Sequence, residues 1–299
     1  MSIPVFVIGR NRSGTTWLSN QLCEHPQIVG IQHERHHGIK ESNYFGIIDV
    51  RYGDLAKRVN YAEFVEVMAA SDLFRLADAD REYLYSLWPT TYEDVFRKVM
   101  DRFAQQRGAH AWVAKSDVRE KMLKQVLAAY PDARIVGIRR DPVPNIASHM
   151  AMPLSRQVRA RKRALFRHVM AHAYSDKVLK AFVRQSDRVH VFRYEDLRAD
   201  AEGTLRDVLE FVGLPWDDAV LGQTYKPNTS FRTPEERDQA LTPGEKRLIR
   251  VLHALASPIP RNLLHLVDRY RRWRRGRPAL PHSMFRLQPF FEEDPLQYD

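Results

Sequence analysis

The chain has 299 residues, 44% of them hydrophobic, with 47 Lys and Arg against 37 Asp and Glu and a formal charge of +10. Its single cysteine excludes a disulfide framework and a thiolate zinc site, and no run of eighteen apolar residues is present to cross a bilayer as a helix. Arg10 and Arg12 follow the first apolar stretch with no small-residue cleavage site between, so a cytoplasmic protein of a reducing compartment is expected.

Pro4-Val5-Phe6-Val7-Ile8, closing at Gly9, is too short for a helix and rich in β-branched and aromatic residues, which predicts a buried strand. Trp17 to Leu22 reads as the helix that follows, ending before Pro26. Phe45 to Thr90 reads as an insertion on the substrate side. Tyr92 to Gln106 spaces Val95, Phe96, Val99 and Phe103 at three and four, and Glu120 to Tyr130 does the same with Met122, Leu123, Val126 and Leu127; both predict helices. Ala111 to Ala114 is a weaker strand signal, Arg134 to Ile138 and Val189 to Phe192 are stronger ones, and Ser155 to Gln185 predicts a long basic helix. Ala201 to Val212 stops at Gly213, a helix C-terminal glycine. Buried strands alternating with helices predict an α/β, P-loop-like three-layer fold, with a central parallel sheet flanked by helices. The expectation is one domain over 1–299, with the insertion at 45–90 and a basic extension at 260–299.

The first turn carries the chemistry. Gly9 to Gly14 has the G-x-x-x-x-G spacing of a phosphate-binding loop, but Thr15 stands where a nucleotide triphosphate would require lysine. A strand-to-helix turn presents backbone N–H groups at a helix N-terminus, Ser13, Thr15 and Thr16 add hydroxyls, and Arg12 adds a fork suited to phosphate or sulfate. A simple Ser/Thr helix cap would use the same residue types. The missing lysine and metal carboxylate weigh against the rival enzyme, an ATP-dependent kinase. A non-catalytic nucleotide- or polyanion-binding module is the rival without turnover.

Arg12-Ser13-Gly14-Thr15-Thr16-Trp17-Leu18 resembles the 5′-phosphosulfate loop of the sulfotransferase family, whose donor is 3′-phosphoadenosine 5′-phosphosulfate (PAPS). The resemblance implies that Arg12, Ser13, Gly14, Thr15, Thr16 and Trp17 bind the phosphosulfate. Arg12 then acts by charge alone, since an arginine gives up no proton. Arg140-Asp141-Pro142 after the strand at 134–138, with Ser148 beyond a proline-started helix, is similar to the family's 3′-phosphate signature. Tyr194-Glu195-Asp196-Leu197 resembles its Y-E-D-L segment and implies a Tyr194 near the adenine. Asn228-Thr229-Ser230-Phe231 resembles the late loop that closes on the nucleotide. No R-K-G motif follows Phe231, which separates the chain from the cytosolic phenol and hormone enzymes.

Lys40-Glu41-Ser42-Asn43-Tyr44-Phe45 resembles the K-E-x-x-[FY]-F segment of heparan-type carbohydrate sulfotransferases. That match implies Glu41 as general base, Lys40 beside the sulfate or leaving group, and Lys115 as a further catalytic lysine, with Asp117 replacing the family's proline. His33, His36 and His37 are the rival bases. With Glu34 among them they suggest a metal, but the family resemblance requires none. The acceptor is expected to be a hydroxyl on a carbohydrate or glycolipid, and the products a sulfate ester and adenosine 3′,5′-bisphosphate. Arg156 to Arg163 is dense in cations and reads as a solvated helix face or a cover for an anionic acceptor. Arg269, Arg271, Arg272, Arg274, Arg275 and Arg277 around Tyr270 and Trp273 suit contact with an anionic membrane surface, while no nucleic-acid motif accompanies them.

Overall fold

Val5, Phe6, Val7 and Ile8 are fully buried, and a run with no polar side must lie in the middle of a covered sheet. The computed structural model of the protein describes residues 1–42, 44–45, 48, 51–151, 158–222, 224–225, 231, 233–264, 266, 280, 284–285 and 287. The run forms β1 (Ile3–Gly9), followed by α1 (Thr15–Leu22), β2 (Ile28–Gly30) and an antiparallel hairpin of β3 (Gln32–His33) and β4 (Gly38–Ile39). Helices α2 (Arg58–Ala69), α3 (Asp72–Leu76) and α4 (Arg81–Ser86) fall within 45–90. There follow α5 (Tyr92–Gln106), β5 (Ala111–Asp117), α6 (Glu120–Ala129), β6 (Arg134–Arg139), α7 (Pro142–Met150), α8 (Val158–Gln185), β7 (Val189–Arg193), α9 (Tyr194–Ala199) and α10 (Ala201–Val212). The last described helices are α11 (Pro234–Gln239), α12 (Pro243–Ala256) and α13 (Arg261–Leu264).

The main sheet runs β2-β5-β1-β6-β7, every neighbouring pair parallel. This is the expected α/β, P-loop-like arrangement. Alternation along β1 sends Phe6 and Ile8 to one face, with Trp112, Met122 and Leu179 from β5, α6 and α8. Val5 and Val7 go to the other, with Leu18 and Leu22 of α1 and Leu205 and Leu209 of α10. Each such side chain contributes roughly 1.5–3 kcal/mol by leaving water. On the first face Phe6 meets Trp112 edge-on at 5.4 Å and Phe45 at 6.0 Å, and Tyr44 meets Phe96 of α5 at 4.9 Å. Phe64 and Phe74 extend the cluster into α2 and α3, which anchors these helices to the sheet.

The weak strand signal at 111–114 becomes a seven-residue strand directly beside β1. Its second half, Lys115-Ser116-Asp117, is polar because it reaches the functional edge, and polarity there hid the strand. No helix among the described residues is long and apolar enough to cross a membrane.

Candidate active site

The site lies along the C-terminal edge of the sheet, where open α/β folds bind ligands. After β1 the backbone turns back sharply, with Ser13 N–H donating to Arg10 O at 3.0 Å. Arg12 and Gly14 take left-handed φ values of 68° and 95°. Gly14 itself caps α1 and no side chain does, so the turn's hydroxyls do not serve as a Ser/Thr cap. The N–H groups of the first helical turn are thereby left for a ligand. A Cβ on Gly14 would stand 2.5 Å from the Tyr194 ring, so the close approach of α9 requires glycine.

Two stretches remote in sequence meet here. Arg140 Nη1 donates to Arg12 O at 2.6 Å, and Arg12 Nε donates to Ser148 Oγ at 3.0 Å. Ser148 is on the proline-started helix α7, not beyond it, because α7 runs on to Met150. Helical spacing brings it back over the turn. The Arg140 guanidinium lies 4.3 Å from the centre of the Tyr194 ring, which meets Trp17 edge-on at 6.0 Å. Glu195 accepts from Asp141 N–H at 2.9 Å, tying the Y-E-D-L segment to the R-D-P segment. Burial, and then the nearby Arg140, lower the Arg12 pKa from its usual high value, and it remains a cation at neutral pH.

Asn145 is a member of the site that sequence reasoning missed. Fully buried on α7, it donates through Nδ2 to Asn11 O and to Ser13 Oγ, both at 3.0 Å. The available signal was an asparagine three residues past Pro142, facing the same way as Ser148 one turn later.

The second group is Lys40, Glu41 and Lys115. Lys40 N–H donates to Ile31 O at 2.7 Å, and Glu41 bridges Lys115 in parallel, so this segment extends the sheet beyond β2. Lys115 Nζ donates to Glu41 Oε2 at 2.9 Å, while Lys40 Nζ, buried at 2% exposure, donates to Glu41 O at 2.9 Å. Burial acts to raise the Glu41 pKa, but Lys115 by charge and hydrogen bond, with Lys40 and Arg119, outweighs it. The carboxyl is held below the usual range and is ionised at neutral pH. In register, Lys115 faces Val7 and Asp117 faces Gly9, so the pair lies about 7 Å along the strand from the opening of the turn. Asp117 feels both ends: burial and then Glu41 raise its pKa, and Arg10 opposes them.

Of the three histidines upstream, His37 is exposed and the other two are engaged elsewhere. His36 Nε2 lies 2.9 Å from Asp72 Oδ2, a fully buried carboxylate on α3, and His33 Nδ1 accepts from Arg35 N–H. No group of His, Cys, Asp and Glu among the described residues can hold a metal ion. On α8, Arg161 pairs with Glu245 at 2.8 Å, while Lys162 and Arg163 are solvated. Asn228, Thr229 and Ser230 lie outside the described residues, as do Arg156 and the arginines at 269–277.

A turn of backbone N–H groups flanked by two guanidinium groups can take an anion, and an ionised carboxylate between two lysines can accept a proton. Residues 4–218 match the profile of the sulfotransferase family. No curated protein sequence matches the chain. The sulfotransferase domain from the curacin biosynthetic pathway superposes with a TM-score of 0.52 at 16% identity, over 87% of this chain and 99% of that domain. The sulfotransferase domain of the Synechococcus PCC 7002 olefin synthase gives 0.52 at 19% identity, over 87% and 96%. Mouse SULT7A1 complexed with PAP gives 0.49 at 14% identity, over 90% and 88%. The match takes in every expected catalytic and donor-binding residue except Asn228, Thr229 and Ser230, and the chain belongs to the sulfotransferase family.

Proposed function

We propose that the protein transfers a sulfuryl group from PAPS to an acceptor hydroxyl, with Glu41 as general base. The observation that carries this reading is the junction of Arg12, Ser148 and Arg140, which joins two anion-binding segments at one strand edge. The donor's chemistry fits it: the phosphosulfate lies on the turn at Arg12, Ser13, Gly14, Thr15, Thr16 and Trp17, and Arg140 with Ser148 holds the 3′-phosphate. Tyr194, packed against Gly14 and Trp17, offers a ring for the adenine, and Asn228, Thr229 and Ser230 complete the nucleotide site.

Glu41 takes the acceptor proton as the acceptor oxygen bonds to sulfur. The bond from sulfur to the 5′-phosphate oxygen breaks, and adenosine 3′,5′-bisphosphate leaves with the electron pair. Arg12 stabilises the charge on that leaving oxygen, and Lys40 and Lys115 hold the carboxylate ionised and oriented. No metal takes part. The acceptor is a carbohydrate or glycolipid hydroxyl, reached from the side of 45–90, and the basic residues of 260–299 provide contact with an anionic membrane surface.

Calorimetric titration of the whole protein with adenosine 3′,5′-bisphosphate and with ATP tests the donor. The bisphosphate is expected to bind at least about tenfold more tightly, a difference of about 1.4 kcal/mol. Equal or reversed affinities would refute the donor assignment.

A further inference from the structure

Behind the phosphate-binding turn lies a layer of histidines that the transfer reaction does not use. His149 Nε2 is 3.0 Å from Asn11 O, and His172 Nε2 is 2.9 Å from Arg140 O. A carbonyl only accepts, so both Nε2 atoms carry the proton. In the neutral ring this leaves His172 Nδ1 bare, to accept from His253 Nε2 at 3.1 Å. Arg10 Nη2 donates to His168 Nδ1 at 3.1 Å, so this ring too is neutral, with its proton on Nε2. His149 and His168 stack with ring centres 4.5 Å apart. Partner chemistry thus places a proton on Nε2 of His149, His168 and His172, and makes His168 neutral.

Resting on the reading of the turn as the donor site, the geometry points to His149, His168, His172 and His253 as positioning residues for the donor. As a neutral layer they hold the Asn11 and Arg140 carbonyls, in the two segments that grip the phosphates, and the Arg10 guanidinium beside them. His172 is the central member. Its bond to the Arg140 carbonyl fixes the residue whose side chain reaches Arg12 O, so one hydrogen-bond chain runs from α12 through α8 to the turn.

The surroundings keep the layer neutral. His172 is lowered to about 4 by burial, with His253 and Arg10 adding to the effect, while its bond to Arg140 O and Asp176 oppose it. His168 is lowered to about 4 by burial, Arg10 and Arg167, and His149 to about 2 by burial, Arg10, His168 and Arg12. His253 is lowered by burial, Lys180 and Arg139 against Asp176 and Asp141. A proton added to His172 would set two N–H donors, its own and that of His253, against each other and place a charge beside Arg10.

The test uses His172→Gln, whose amide nitrogen reaches the position of Nε2, and His172→Asn, whose shorter amide does not. In titrations of the whole protein with adenosine 3′,5′-bisphosphate at pH 7.5, His172→Gln is expected to stay within about threefold of wild type. His172→Asn is expected to lose about tenfold or more, the loss of one buried hydrogen bond. As the pH falls from 6.5 towards 4, wild-type affinity should decline more steeply than that of His172→Gln. Nitrogen NMR of the wild-type protein at pH 6 should show His172 neutral and protonated on Nε2. Equal affinities for the two variants, or a His172 that is cationic or protonated on Nδ1, would overturn the proposal. A wild-type protein that does not bind the bisphosphate overturns the donor reading first, and this proposal with it.

Discussion

Glu41 and Lys115 face each other at 2.9 Å across a single parallel bridge, which carries the line of β2 along β5 towards the C-terminal edge of the sheet. The pair is one-quarter exposed on the Glu41 side and one-tenth on the Lys115 side. A carboxylate so placed is ionised and still reachable by an acceptor.

Glu41→Gln should therefore remove the proton acceptor and leave the donor grip untouched. Turnover is expected to fall by about 10² or more, the usual range for a general base, while affinity for adenosine 3′,5′-bisphosphate stays within about threefold. Steady-state rates and calorimetry on the same preparation check this. A variant that turns over normally would refute the base assignment.

Lys115→Met separates the charge of the lysine from its bulk. The Glu41 carboxyl is held low because Lys115, with Lys40 and Arg119, outweighs burial; with Lys115 gone, burial meets less opposition and the pKa rises. The acid limb of the kcat/KM profile, where the base becomes protonated, should move to higher pH. An acid limb unchanged from wild type would show that Lys115 does not set the state of the base.

Arg140→Ala should weaken the bisphosphate by roughly 10- to 100-fold, as expected for losing a charged hydrogen-bonding partner. Calorimetry at two salt concentrations checks it, because a phosphate contact also loses salt dependence when its cation is removed. A kcat effect without an affinity effect would move Arg140 away from the phosphate.

Much of this site was legible because its chemistry is dense in sequence. Arg12 to Trp17 and Arg140 to Ser148 each crowd charge, hydroxyl and turn residues into a short span, and few structural needs produce that pattern. Asn145 and the histidine layer were not legible. A buried asparagine and four histidines spread from 149 to 253 acquire their roles only when α7, α8 and α12 pack together. In the fold, strands and helices with a single buried stripe were read closely, α5 to the residue. The strand β2, three residues long, carries too little pattern to detect, and the helices of 58–86 were not drawn individually. The Ser/Thr cap stayed open beside the phosphate loop because a left-handed glycine and a Ser/Thr cap look alike until the backbone is seen.

Gly14→Ala tests that geometry. A non-glycine residue at φ 95° costs roughly 1–2 kcal/mol, and the added carbon would stand 2.5 Å from the Tyr194 ring. Thermal unfolding should drop by about 2–8 °C, together with bisphosphate affinity. An unchanged melting temperature would mean that α9 yields easily.

Arg12 differs from Gly14 in that its left-handed φ of 68° is borne by a residue with a full side chain. Arg12→Gly should relieve that backbone and raise the melting temperature by a degree or more, while abolishing sulfuryl transfer. Differential scanning calorimetry beside an activity assay would show the two moving in opposite directions. If they do, sequence variants sorted by thermal endurance alone will drift towards glycine at position 12 and become hardier and inert. Any programme to toughen this enzyme must exempt that one position from its search.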